Sequence, residues 1–422
     1  MVSTENFDAF GGMETYTRTV AHELDRLGHQ TAIYSPRPGA MAALARREGL
    51  QVFGRDDLPE HCDAILAQDA ATCLELTASY PDAVRLFVAH SRDHVLHEPP
   101  QLTGVCDGVV ALNDRVGDWV RARAWHPPVT RLRQPVELSR YRDLAQPGSL
   151  AKRVLVTTNY VGGARGRMLE EACARAGYDV TWIGTTTEPH ASPEDAIGAS
   201  DIVVGLGRSA VEAMAAGRAV YVFGVLGAGG WITVGSYPDL EADGFAGLSE
   251  SPAATVEGLA EELAGWEPGM GEANRDLASA HSARTHAVEL VQLIRRFGEG
   301  RDANADSAGD TCAPAPPAQL EELARLMRLE WRMYDQAMRK SLEADRARAE
   351  RDRYLTEAED AIDRVKVLDA ELDRAFARVA ELEGDVRKLE EGLATRRYRW
   401  AQGLAMPLDR LRGRRRATRP PR

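Results

Sequence analysis

The chain has 422 residues, enough for two or three domains, and its 44% apolar content excludes wholesale disorder. No apolar run reaches the roughly 18 residues of a membrane span, and Met1–Phe10 lacks the basic head and apolar stretch of a secretory leader. The net charge of −12 is uneven: residues 394–422 hold ten arginines against Asp409, and removing that +9 leaves −21 on residues 1–393. An acidic body repels nucleic acid, so no nucleic-acid partner is expected, whereas the tail suits an anionic surface. Five cysteines (Cys62, Cys73, Cys106, Cys173, Cys312) show neither CxxC pairing nor regular spacing. That pattern is wrong for structural zinc and odd for a disulfide framework, so a reducing cytoplasm is the expected setting.

Residues 1–300 alternate short apolar runs with amphipathic stretches. Strands are expected at Gln30–Ser35, Asp63–Leu66, Arg85–Ala89 and Gly108–Ala111, and helices at Glu14–Leu27, Ala70–Thr77 and Asp114–Ala124. Only Met1-Val2-Ser3 stands where a first strand belongs, so either that strand is a stub or the true start lies upstream. The pattern restarts after Pro147-Gly148. Strands Arg153–Thr157, Asp179–Gly184, Asp201–Val204 and Ala219–Phe223 then alternate with helices Arg167–Ala176, Pro193–Ala199 and Ser209–Ala216. The fold class expected is α/β, with two doubly wound, Rossmann-like parallel-sheet domains (residues 1–148 and 149–299) facing a cleft. Residues 300–318, rich in Gly, Ala, Asp and Pro, read as a flexible linker. Residues 319–396 read as one long helix and 397–422 as a basic amphipathic tail.

Two glycine-rich turns stand before helices. Phe10-Gly11-Gly12-Met13-Glu14 opens the first. Glycines admit a ligand close to the backbone, and a helix N-terminus offers free N–H groups; the alternative is a plain strand-to-helix turn. Val204-Gly205-Leu206-Gly207-Arg208-Ser209 opens the second, a helix closed by Gly217. Ser209 reads as its N-cap, with Arg208 adding a fork of donors for a diphosphate. Glu212 has the spacing of a capping-box partner for Ser209, or else accepts from sugar hydroxyls. Neither turn has the Gly-Lys-Ser/Thr of a P-loop.

These residues resemble a known family. Gly11-Gly12-Met13-Glu14, with a helix ending Leu27-Gly28-His29-Gln30, is similar to the opening of the GT-B glycosyltransferases of glycosyltransferase family 4. Cys106–Asn113 resembles a later strand of that family, Arg133–Leu138 its crossover, and Glu212–Val220 its EAmAxGxPV segment. The resemblance covers about residues 1–300. It implies a metal-independent, hexosyltransferase-like enzyme that moves a sugar from a nucleotide-sugar donor to an acceptor with retention, the donor being a co-substrate and no cofactor being needed. By the same resemblance Gly11 and Gly12 approach the diphosphate or the acceptor. Gly207, Arg208 and Ser209 face the diphosphate, and Glu212 holds the ribose. Arg165 or Arg167 supplies a basic group, and His90, closing its strand, lies near the donor sugar. One position departs from the pattern: eight residues before Glu212 stands Val204 where the family has a glutamate.

Diphosphate departure needs charge stabilisation, from metal or from arginines and a helix N-terminus. No Asp-x-Asp motif occurs in residues 1–300, so the second route is expected, with Arg208→Ala lowering turnover more than stability. His90, His94 and His97 cluster around Asp93, but Pro99-Pro100 breaks any helix there and no fourth ligand has recognisable spacing, so no metal site is assigned. From Ala358 to Leu393 apolar residues recur at a mean of 3.5 positions, the period of a left-handed coiled coil. That pattern points to a homo-oligomer. Trp400, Leu404, Leu408 and Leu411, interleaved with arginines, suit a segment lying on anionic lipid through residues 396–422. Two other functions remain open: a catalytically silent scaffold of the same fold, which Val204 favours, and a nucleotide-sugar 2-epimerase.

Overall fold

The computed structural model describes residues 1–92, 95–124, 126–144, 153–157, 161–184, 193–225, 227–248, 255–305 and 315–393. His94, the expected domain boundary at 148/149 and the basic tail fall outside the described residues.

The first sheet is built from β1 (Val2–Ser3), β2 (Ala32–Tyr34), β3 (Gln51–Phe53), β4 (Ala64–Ala67), β5 (Val84–Ala89), β6 (Gly108–Ala111) and β7 (Val129–Arg131). Its order is β3-β2-β1-β4-β5-β6-β7, and every pair is parallel. The two-residue β1 is therefore a central strand. All six residues of β5 and all four of β6 are buried. Helices on both faces require this, and it is why these strands read as apolar runs rather than alternations. The helices are α1 (Gly12–Arg26), α2 (Ala40–Arg47), α3 (Ala70–Ser79) and α4 (Asp114–Arg121). Asp69 caps α3 by accepting the Thr72 N–H at 2.8 Å, and Asn113 caps α4 through the Val116 N–H at 2.9 Å. Cys73 and Cys106, unrelated in spacing, lie side by side in this core with Sγ atoms 3.5 Å apart.

The second sheet contains β8 (Arg153–Thr157), β9 (Asp179–Ile183), β10 (Ile202–Gly205), β11 (Ala219–Phe223) and β12 (Ala228–Trp231). Its order is β9-β8-β10-β11-β12, parallel except for the last pair. Around it lie α5 (Gly163–Arg175), α6 (Glu194–Gly198), α7 (Gly207–Ala215), α8 (Tyr237–Ala242), α9 (Val256–Ala264) and α10 (Met270–Ala278).

Two helices follow, α11 (Ala283–Ala305) and α12 (Pro317–Leu393). Residues 300–305, expected as linker, continue α11. Nor does α11 stay with the second lobe: Ala287, Leu290 and Leu293 fill the first lobe's core beside Val20 and Leu24. The chain thus crosses between lobes twice, and the two crossings pair. Val136 N–H donates to the His281 carbonyl at 2.8 Å, and Ala283 N–H to that of Val136 at 3.0 Å. The start of α12 docks on the first lobe, where Leu320 and Ala324 are buried with Val105 and Val109. From Leu342 onward α12 is a compact unit of its own. No helix among the described residues is long and apolar enough to cross a membrane.

Candidate functional site

Open α/β sheets take ligands outside the carboxyl ends of their strands, at the point where strand order reverses. In the first lobe the reversal lies between β1 and β4. Thr4-Glu5-Asn6 leaves β1 there, and Asp69 leaves β4. Asp69 accepts the Glu5 N–H at 2.7 Å. The Glu5 carboxylate meets Arg328 Nε at 2.7 Å and Arg37 Nε at 3.7 Å. Burial, with Asp69 beside it, nevertheless lifts Glu5 to about 7.

The first turn of α1 closes the same crevice. A Cβ on Gly11 would stand 2.5 Å from Glu14 Oε2, so glycine at 11 makes room for the glutamate folded back over it. Burial pushes the Glu14 carboxyl up to about 7, Asp8 adding to the rise and the backbone N–H groups of Gly11 and Glu14 opposing it. Gly12 is different. It is exposed, helical in conformation, and has nothing within 4 Å of a built Cβ. Neither strain nor packing calls for glycine there, so its missing side chain leaves open space at a helix N-terminus. A cavity of about 190 Å³ begins at the next two residues, Met13 and Glu14, and is lined also by Glu5, Asp69, Leu96, His97 and Trp331, not by Gly12 itself.

His90 follows β5 and packs edge-on against Tyr16, with ring centroids 4.8 Å apart. Burial lowers its pKa to about 3, and His97, His286 and Arg208 nearby press the same way. The imidazole is therefore neutral, and its buried Nε2 has no hydrogen-bond partner among the described residues. Tyr16 in turn donates to His286 Nε2 at 2.8 Å, while His286 Nδ1 donates to the Arg133 carbonyl at 3.0 Å. His281 repeats the device in the other lobe: its Nδ1 donates to the Gln134 carbonyl at 2.9 Å and its Nε2 accepts from Tyr237 at 3.0 Å. Two histidines thus fasten the crossover strand to one tyrosine of each lobe. Burial lowers His286 to about 3 and His281 to about 4.

In the second lobe the reversal lies between β8 and β10. Two turns meet it, one opening α5 and one opening α7. The α5 turn carries Gly162 and Gly163, a glycine pair that the sequence reading passed over. Gly163 adopts φ +56°, which asks for glycine. Gly162 has extended φ, is exposed and has nothing within 4 Å of a built Cβ. It leaves open space as Gly12 does, although as N-cap it holds the place that Gly11 has before α1. The signal was present as Val161-Gly162-Gly163 before a helix, the same pattern as Phe10-Gly11-Gly12.

At the α7 turn the helix begins at Gly207, not Ser209, and the N-cap is Leu206. Ser209 occupies the third helical position, and its hydroxyl accepts the Leu206 N–H at 3.3 Å. Gly207 turns the chain at φ +51°. Gly205 is required by packing, since a Cβ there would lie 2.7 Å from Thr157 Oγ1. Glu212 is no capping partner: its carboxylate takes Arg208 Nε at 2.8 Å, and both side chains are buried. Arg208 also donates to the Pro135 carbonyl at 2.7 Å and to Thr19 Oγ1 at 3.1 Å, tying α7 to the crossover and to α1. Its donors thus hold the lobes together. The lobes meet as well through Arg115 and Asp243 at 3.0 Å and through Arg131 with Glu241.

Two of the remaining candidates stand at the start of α5. Arg165 donates to the carbonyls of Gly224 and Gly227, and its guanidinium carbon stands 4.2 Å from the Phe223 ring centroid. It braces the loop after β11. Arg167 is exposed on α5. Val204 is 1% exposed in the core of β10, so the position where the resemblance places a sugar-binding glutamate is interior here. Among the described residues no group of three His, Cys, Asp or Glu side chains is arranged to hold a metal ion.

Two doubly wound lobes, each with its strand reversal at a helix N-terminus, define the GT-B architecture. No family model matches the chain, and no curated protein does. Solved structures of similar shape include HepE of Anabaena in complex with UDP and glucose, at 12% identity and TM-score 0.45, covering 70% of this chain and 98% of that one. AviGT4, a glycosyltransferase involved in avilamycin A biosynthesis, is 14% identical with TM-score 0.46, covering 71% of this chain and 98% of its own. WaaG, a glycosyltransferase involved in lipopolysaccharide biosynthesis, is 12% identical with TM-score 0.46, covering 69% and 98%.

Proposed function

We propose that the chain is a glycosyltransferase, transferring a sugar from a nucleotide-sugar donor to an acceptor with retention of configuration. One observation carries this reading: Gly12 and Gly162 are glycines that the fold itself does not need, placed at helix N-termini beside the two strand reversals. In this reading the second lobe takes the nucleotide diphosphate. The N–H groups opening α5 meet the departing charge, the Gly207 N–H that opens α7 being held by the Phe245 carbonyl at 3.1 Å, with Arg208 exchanging its protein partners for the diphosphate and no metal or cofactor required. Glu212 is then released to the ribose. His90, neutral at pH 7, hydrogen-bonds the donor sugar rather than acting as an acid. The first-lobe cavity takes the acceptor, Glu14 helps to hold it there, and the acceptor's hydroxyl proton passes to the departing diphosphate oxygen as the new bond forms on the face that the diphosphate leaves. Arg165, held by the Gly224 and Gly227 carbonyls, braces the α5 turn, and the exposed Arg167 supplies the basic group.

A thermal-shift screen of the full chain against nucleoside diphosphates and their sugars tests this. A ligand at 100 times its Kd adds about 2.7 kcal/mol to stability, so one nucleotide is expected to raise Tm clearly. No shift with any nucleotide favours the second reading, a non-catalytic assembly protein, for which Val204 in the core and the committed Arg208 are the specific observations.

We also propose that α12 pairs with a second copy. Ile362, Leu368, Leu372, Phe376, Val379, Leu382 and Leu389 are all more than 45% exposed on its coiled-coil period. Sedimentation of the full chain as a dimer is expected, and a monomer at every concentration would remove the claim. The ten arginines of the tail are proposed to dock on an anionic surface in the cytoplasm, which co-sedimentation with anionic vesicles at low salt decides.

A further inference from the structure

The first-lobe cavity is unbalanced in charge. Glu5, Glu14 and Asp69 line it, and among the described residues no lysine or arginine does. Two of these carboxylates are committed, Glu5 to Arg328 and Arg37, Asp69 to the N–H groups of Glu5 and Thr72. Glu14 is not. Its buried carboxyl meets backbone N–H groups alone, and no cation faces it among the described residues.

The rest of the lining is partly apolar and aromatic. Leu96 and Trp331 belong to it, and Trp331 comes from α12, outside both lobes. The indole stacks on Tyr334 with centroids 5.6 Å apart and lies 5.6 Å from the His97 ring. A buried carboxylate and an indole lining one cavity suit an ammonium group on a carbon ring, with N–H donated to the carboxylate and the ring's C–H face laid on the aromatic surface. The volume of about 190 Å³ admits one six-membered ring.

We propose that this cavity takes the acceptor as a polyol ring bearing an ammonium group, the ammonium against Glu14 and the ring against Trp331. That it is the acceptor rests on the glycosyltransferase reading; the ligand chemistry rests on the cavity alone. Three probes test it by calorimetry on the full chain: 2-deoxystreptamine, the neutral ring myo-inositol, and the open-chain diamine putrescine. Deoxystreptamine is expected to bind at least about tenfold tighter than either of the others, the scale of a lost charge-assisted hydrogen bond. Glu14→Gln, which keeps the shape, is expected to abolish that preference. Trp331→Ala is expected to weaken deoxystreptamine and myo-inositol alike. Equal binding of deoxystreptamine and myo-inositol, equal binding of putrescine, or an unchanged preference in Glu14→Gln overturns the proposal. UDP binding, measured on the same samples, confirms that the variants fold and separates the two ideas. UDP bound without amine preference sinks this inference alone, and amine preference without binding of any nucleotide sinks the transferase and leaves the ammonium site standing.

Discussion

Arg208 divides its guanidinium among Glu212, the Pro135 carbonyl and Thr19, with its side chain only 10% exposed. A group so placed contributes to folding before it contributes to chemistry. Arg208→Ala leaves the Glu212 carboxylate buried without its cation, a loss of about 3–5 kcal/mol, on top of a roughly hundredfold fall in turnover if the guanidinium meets the diphosphate. The expectation that this substitution spares stability is therefore revised. Denaturant titration beside a donor-consumption assay checks it, and an unchanged midpoint would mean that the contacts to the crossover and α1 carry no weight. The glycines divide along a similar line. Gly11 and Gly12 are equivalent in sequence, yet one makes room for Glu14 and the other opens space. Ser209 was misplaced because its capping hydrogen bond points back to Leu206, a geometry that the order Gly-Arg-Ser does not reveal.

At the scale of elements, α12 joins two behaviours in one uninterrupted helix. Leu320, Ala324 and Arg328, four residues apart, form a stripe turned into the first lobe. Arg328 bridges Glu5 and Glu75 there, with Tyr34 donating to the same Glu75 carboxylate. Arg328→Ala leaves Glu5 with Arg37 alone at 3.7 Å and Glu75 with Arg55 at 2.9 Å, so it is expected to lower stability by about 3 kcal/mol, the lower end for breaking a buried pair, whereas Arg328→Met, which keeps the stem's packing, costs less. Chemical denaturation of both variants measures this; identical midpoints for wild type and Arg328→Ala would show that the stripe is not docked. Periodicity found the helix but not the docking, because a stripe reads the same whether it meets a lobe or a second helix. The edge strand Ala228–Trp231 escaped for the opposite reason. Its Gly229-Gly230 carries no β signal, and pairing with β11 alone makes it a strand.

Over the whole molecule, buried ionisable groups pull stability against pH in opposite directions. His90, His281 and His286 stay neutral in the fold to about 3 or 4, whereas the unfolded chain binds those protons below 6.5, so each withdraws stability as pH falls from 6.5. Glu5 and Glu14 are protonated in the fold below about 7 but not in the unfolded chain until 4.5, so each adds stability over that interval. Asp69, Asp107 and Asp243, also raised by burial, act in the glutamates' sense. Each proton is worth about 1.4 kcal/mol per pH unit. The opposing sets roughly cancel between pH 7 and 5. Below 4.5 the glutamates contribute nothing further, and Glu48, held near 2 by Arg18 and His22, begins to lose its pairing energy. A nearly level stability from pH 7 to 5, then a steep fall below 4.5, is the expected profile in denaturation monitored by circular dichroism. A loss already well advanced at pH 6 would contradict it.

The α/β class, the restart of the pattern near residue 150 and the glycine turn before α7 were all legible along the chain, because each is written in neighbours a few residues apart. The route of α11 back to the first lobe, the union of Glu5, Glu14 and Trp331 around one cavity, and the capture of Arg208 between lobes were not. They join residues hundreds of positions apart, and burial and charge pairing at such distances exist once the chain has folded and have no counterpart in local pattern.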